Sequence, residues 1–263
     1  MIEIKNLSFQ YDKKSRLIFN NLSFNLDDNC LLSVLGKNGI GKTTLIKCLT
    51  KEINDYSGEI LINGKNIKEM TDLEISKKIA VVATNNSIYQ NLNVADYLVM
   101  GFANKLTFFQ VPNKDLYCKA LEILESLGYA DLLNKLMFEL SSGEKQIVRI
   151  ARAILQEPEI IIFDEPTANL DIKNQLVVLS QISNLLERKY TVITTTHNPG
   201  HVIELGGNVL IMSENIVNFG NVDDVLTQEN LENAYGLKVI LAKENARTIT
   251  TFFDENDNHK LIF

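Results

Sequence analysis

Leu31-Leu32-Ser33-Val34-Leu35-Gly36-Lys37-Asn38-Gly39-Ile40-Gly41-Lys42-Thr43 is the stretch on which the reading of this chain turns. The first five residues are almost continuously apolar, as in a strand buried on both faces. Three glycines and a Lys-Thr pair follow, and then Leu45, Ile46 and Leu49 recur at helical spacing. Glycines so placed let backbone N–H groups close around phosphate oxygens, while Lys42 supplies a point charge and Thr43 a hydroxyl suited to magnesium. A plain glycine turn with a surface lysine needs neither the strand before it nor the helix after it; a phosphate cradle needs both. Gly36, Asn38, Gly39, Gly41, Lys42 and Thr43 are therefore candidate phosphate contacts, with Thr44 as their helical neighbour.

Farther along, Ile160-Ile161-Ile162-Phe163-Asp164-Glu165 ends an apolar strand on two adjacent carboxylates, just before Pro166. Ligands in open parallel sheets bind outside the carboxyl ends of the strands. There Asp164 can hold magnesium through water and Glu165 can polarise an attacking water. Ser141 and Glu144 have the spacing of a capping box and start a helix whose apolar face is Ile147, Ile150, Ala151, Ile154 and Leu155. Capping alone, worth about 0.5 to 2 kcal/mol, explains that pair. The same helix start also presents unpaired N–H groups and a positive dipole end to an anion, and spacing does not decide between the two.

The remaining pattern is α/β. Strands are expected at Ile2 to Phe9 and Leu22 to Leu26, with a strand pair around Gly58 to Gly64, so the glycine loop sits in a strand–helix–strand grammar. From Val94 to Leu140 the pattern turns helical. Leu116, Ala120, Leu121, Ile123, Leu124 and Leu127 make one face, ended by Gly128. A helical subdomain of about 85–158 is thus expected as an insert in an α/β core of mixed sheet. Strands return at Ile160 to Phe163, Thr191 to Thr195 and Val209 to Met212, with a helix from Gln175 to Arg188. A main domain over 1–235 would be followed by an extension, 236–263, whose weak alternation suits an edge hairpin.

Composition bounds the partners. A length of 263 residues, 45% hydrophobic and 22% charged, is that of an ordinary globular chain. A net charge of −7 argues against binding nucleic acid, or anionic lipid, by neutralising phosphates. No apolar run approaches the roughly 20 residues of a membrane helix, so any membrane contact is expected through partners. No charged n-region and apolar h-region open the chain, and export is not expected. Cys30, Cys48 and Cys118 lack metal-site spacings and read as small buried hydrophobes in a reducing compartment.

Gly36 to Thr43, Leu140 to Glu144, Ile160 to Glu165, Ala168-Asn169-Leu170-Asp171 and His197 occur in the order found in ATP-binding cassette (ABC) ATPases, and the chain resembles that family over nearly its whole length. The resemblance implies the ABC ATPase fold, a P-loop NTPase core with an inserted helical subdomain, and ATP and Mg2+ as ligands. It implies Tyr11 stacked on adenine, Lys42 and Thr43 on phosphate and magnesium, and Glu165 orienting the attacking water. His197 would touch the γ-phosphate. Ser141 and Gly143 would face the nucleotide of a second copy, in a homodimer formed with ATP, and Asp171 would lie in the loop joining the two sites. A lone histidine or an early aromatic is otherwise a capping or packing residue, and Phe9 would share a strand face with Tyr11. His201 and His259 keep that plain reading.

Met100-Gly101-Phe102, Val111 to Asp115 and Asn233 to Leu237 look most like importer ATPases serving iron-siderophore, haem and cobalamin permeases. Such a subunit would lie at the inner face of the cell membrane, docked on two permease subunits and served indirectly by an extracytoplasmic binding protein. The pattern also departs from the family. Thr84 stands where glutamine usually approaches the metal, leaving a neighbour such as Asn85 or Asn86, or a water, to make that contact. Ser142 replaces a glycine and Glu144 a glutamine, so slower turnover is expected. Two rivals remain: a soluble cassette that serves as a scaffold, for example in iron-sulfur cluster assembly, and a cassette that binds nucleotide with little turnover.

Overall fold

The computed structural model describes residues 1–12, 14–83, 91–106, 110–214, 217–244, 247–253 and 260–262. The chain divides into two compact units, Met1–Met70 with Thr191–Phe263, and Thr71–Tyr190.

The first unit begins with β1 (Ile2–Phe9), β2 (Phe19–Leu26), β3 (Leu31–Leu35), α1 (Lys42–Leu49), β4 (Ser57–Ile62) and β5 (Lys65–Asn66). Strands β2, β1, β4 and β5 form an antiparallel sheet in that order, and β2 alternates between buried and exposed residues along most of its length. Every residue of β3 is buried, and β3 has parallel neighbours on both edges. That explains its lack of alternation, since neither face meets water.

The second unit contains α2 (Asp72–Lys78), β6 (Ile79–Ala83), α3 (Val94–Val99), α4 (Lys114–Leu127), α5 (Ser142–Leu155), β7 (Ile160–Asp164) and α6 (Ile172–Glu187). Strands β6 and β7 pair in parallel, Ala83 opposite Asp164. The helices share a core in which Leu98, Leu124, Val148 and Ala151 are wholly buried. Helix α4 runs from an Asn113 cap to Gly128 in the left-handed conformation, and buries Ala120 and Leu124 as its apolar spacing predicts.

The chain then returns to the first unit through β8 (Thr191–Thr196), α7 (Pro199–Leu205), β9 (Asn208–Met212), β10 (Val217–Asn221), α8 (Val222–Val225), α9 (Gln228–Tyr235), β11 (Lys238–Glu244), β12 (Arg247–Phe253) and β13 (Lys260–Ile262). The last three form an antiparallel sheet. It is not a loose appendage: Val239 and Phe252 lie in one core with Leu35, Val209 and Ile211.

Some expectations need correction. The helix expected from Gln175 begins at Ile172, because the Asp171 carboxylate accepts from the Asn174 N–H and caps it there. Of the cysteines only Cys48 is buried, and burial pushes its thiol up to about 12. Cys30 is half-buried, and Cys118 is exposed on α4, two residues before the buried Ala120. Among the described residues no helix is long and apolar enough to cross a membrane.

Leu124→Ala is expected to lower the stability of the chain by about 2 to 5 kcal/mol in urea unfolding, through lost contacts and a cavity. The exposed neighbour substitution Glu125→Ala should stay within about 0.5 kcal/mol. Equal effects would contradict the burial of that α4 face.

Candidate functional site

The phosphate loop is built on the end of β3. Leu35 pairs with Thr196 of β8, and the Gly36 N–H donates to the Thr196 carbonyl at 3.3 Å, so β8 delivers His197 level with the start of the loop. Gly41 has φ 126, and a Cβ there would meet the Ile18 methyl at 2.4 Å, so both conformation and space demand glycine. No side chain caps α1, which begins directly after Gly41. The positive dipole end of such a helix start suits a phosphate.

Lys42 is 4% exposed, and its ammonium donates to the Gly36 carbonyl at 2.8 Å and the Lys37 carbonyl at 3.1 Å. Thr43, Asn38 and Gly39 are exposed at the loop, whereas Thr44 is buried. Tyr11 is 56% exposed, and its hydroxyl lies 3.0 Å from Thr44 Oγ1 while its ring stands edge-on to Phe9 at 5.0 Å. The loop helix and this aromatic are thus neighbours, with much of the ring open to solvent.

Sequence reasoning missed Arg16. Its guanidinium donates to the Gly39 carbonyl and lies 3.6 Å from Glu214. With Lys37 and Lys42 it makes the surroundings of the loop cationic in a chain that is acidic overall. Arg16 carries no local signal, because its partner is 23 residues away.

His197 is exposed after β8, and its carbonyl accepts the Tyr235 hydroxyl at 2.7 Å. Burial raises the Tyr235 phenol, which favours the donating, protonated form. His201 braces the following turn. Its Nδ1 lies 3.4 Å from Thr196 Oγ1 and its Nε2 3.3 Å from Asn198 Nδ2, and burial, then the nearby His197, lower it.

In the second unit, Asp164 ends β7 half-buried, and Glu165 follows with φ 47. Left-handed backbone at a glutamate is strained, and such strain concentrates at functional sites. Thr84, with Asn85 and Asn86, lies outside the described residues, as does His259; β6 ends one residue earlier, with Ala83 opposite Asp164.

Both halves of the Ser141 capping box form: the Glu144 carboxylate accepts from the Ser141 N–H at 2.7 Å, and Ser141 Oγ accepts from the Glu144 N–H at 3.2 Å. The bonds from Ser141 hold the Glu144 carboxyl below its usual range. Ser142 is exposed as the first residue of α5. Gly143 is buried, and a Cβ there would sit 2.4 Å from Asn174 Oδ1. Asn174 is in turn held by Asp171, whose carboxylate accepts from its backbone N–H at 2.8 Å and from its side-chain amide at 2.9 Å. Asp171 thus reaches the start of α5 through one amide side chain, another contact that sequence spacing did not reveal.

Thr43 in the first unit, and Asp164 in the second, each carry a hard oxygen of the type Mg2+ takes. Among the described residues no cluster of three or more His, Cys, Asp or Glu could enclose a metal.

Comparison with known proteins bears on this geometry. Residues 19–168 match the family model described as ABC transporter. The chain is 34% identical, over 81% of its length and 84% of the relative's, to the probable iron chelatin transport ATP-binding protein of Helicobacter pylori. It is 31% identical to the molybdate import ATP-binding protein of Haemophilus influenzae, over 96% and 94% of the two chains. A solved chain from an ABC transporter assigned to the metal-chelate type, in an inward-facing conformation, superposes with a TM-score of 0.83 at 30% identity, covering 100% of this chain and 97% of that one. With a family model spanning more than half its residues, and relatives alike almost from end to end, this chain belongs to the ATP-binding proteins of ABC transporters.

Proposed function

We propose that the chain hydrolyses ATP to power a membrane importer for a chelated metal of the iron-siderophore, haem or cobalamin kind. The observation that carries the hydrolytic reading is Glu165, held in left-handed backbone directly after Asp164 at the carboxyl end of β7. The end-to-end likeness to a metal-chelate transporter chain, and the iron chelatin relative, support the cargo class. Similar cassettes serve different cargoes, molybdate among them, which fits selection of cargo by the permease rather than by this subunit.

Catalysis in this reading is positioning and electrostatics rather than covalent chemistry. The glycine loop's N–H groups and Lys42 hold the phosphates and Tyr11 stacks on the base; Thr43 and Asp164 would each offer an oxygen to Mg2+, which would supply charge neutralisation at the phosphate. Glu165 orients the attacking water and accepts its proton, and His197 contacts the terminal phosphate. Ser141 and Gly143 of a second copy present the start of α5 to the same nucleotide, with Asp171 between the two sites, in a dimer that closes on ATP. Residues 1–235 make up the ATPase domain, with the helical insert about 85–158 and the extension 236–263. The dimer docks on two permease subunits at the inner face of the membrane, with an extracytoplasmic binding protein delivering cargo.

Glu165→Gln should keep ATP binding, lower phosphate release by about a hundredfold or more, and trap an ATP-dependent dimer on size exclusion. Unchanged phosphate release would remove Glu165 from its role. Lys42→Ala, which loses charge-assisted bonds to phosphate, should weaken ATP binding by about 10- to 100-fold in a titration. Affinity-tagged chain isolated from detergent-solubilised membranes of its native cell should bring down an integral membrane permease; isolation without one would refute the importer reading while leaving hydrolysis untouched.

A further inference from the structure

The segment carrying His197 is short, and His197 itself is exposed. It runs from the end of β8 at Thr196 to the start of α7 at Pro199. Towards the C-terminal strands it borders a cavity of about 290 Å³, lined by Lys37, His197, Asn198, Tyr235, Leu237 and Phe252 among others. Within the turn, the Asn198 N–H donates to Thr196 Oγ1 at 3.0 Å, and His201 braces both residues. The His197 peptide is held from outside the turn, by the Tyr235 hydroxyl at 2.7 Å.

Tyr235 is well placed to do this. It is the last residue of α9, and Gly236, with φ 63, turns the chain immediately after it. Its ring stands edge-on to Phe252 at 5.1 Å. Phe252 is 4% exposed in the core that also contains Leu35, the residue before the phosphate loop. The hydroxyl therefore starts from a rigid base shared with the strand that carries the loop.

We propose that Tyr235 is a positioning residue: its hydroxyl fixes the His197 peptide and, through it, the direction in which the imidazole faces a nucleotide's terminal phosphate. The inference rests on the role proposed for His197. Tyr235 touches no reacting atom in this scheme, and acts by keeping a phosphate-sensing side chain within the narrow geometry that phosphoryl transfer tolerates.

Tyr235→Phe keeps the ring and its packing and removes only the donor. In the purified full chain it should lower kcat for ATP hydrolysis by about three- to tenfold, the loss of one hydrogen bond, with KM and ATP affinity within about twofold. The melting temperature should be close to that of the parent. His197→Ala should be more impaired, and adding Tyr235→Phe to it should change nothing further, because the two act through one group. An unchanged kcat in Tyr235→Phe beside an impaired His197→Ala overturns the positioning role alone. So does a loss that multiplies with His197→Ala, or one that follows a lower melting temperature or weaker ATP binding. Parental activity in His197→Ala instead removes His197 from the reaction, and the inference with it.

Discussion

The buried ammonium of Lys42 is the constraint around which the first unit is arranged. A charge that is 4% exposed is costly to bury without acceptors, and the chain meets this by turning the carbonyls of Gly36 and Lys37 inward at 2.8 and 3.1 Å. No side chain caps the start of α1, and helix N-termini of this kind favour anions. The backbone follows such a path only where it escapes the usual steric limits, as at Gly41. Burial of all five residues of β3, with parallel partners on both sides, then gives the loop a stiff foundation.

The second unit is built on a different economy of contacts. Strain is accepted at Glu165, directly after a strand of four fully buried apolar residues that leaves it little freedom to relax. The start of α5 is over-determined: a reciprocal capping box fixes its backbone, and Asn174 fills the space against Gly143. The side chain at that contact is an amide, and Asp171 fixes it by accepting from both the backbone N–H and the side-chain amide of Asn174.

Much of this was legible in the sequence, for reasons that particular residues make plain. The limits of β1 and β3 follow from alternation and from an unbroken apolar run, both local properties. The Ser141–Glu144 box was legible because its two partners stand three residues apart. Arg16, Asn174 and Tyr235 were not, because each meets the candidate site through a partner fixed by tertiary structure: Gly39, Gly143 and His197 respectively. Asn233 to Leu237 served in the sequence only as a family cue, since nothing in its composition discloses that Tyr235 ends beside His197. Cys118 was misread because a lone cysteine has no periodic company to reveal its face; only α4 as a whole shows that it looks outward.

The core shared by Leu35, Val209, Ile211, Val239 and Phe252 changes what the C-terminal strands are to this molecule. A polypeptide halted after Tyr235 would retain every motif by which its family is recognised, yet it would strip two hydrophobic plugs from beneath the strand that carries the nucleotide cradle. Loss of Val239 and Phe252 would thus weaken the support under β3 from below, although neither residue belongs to a nucleotide motif.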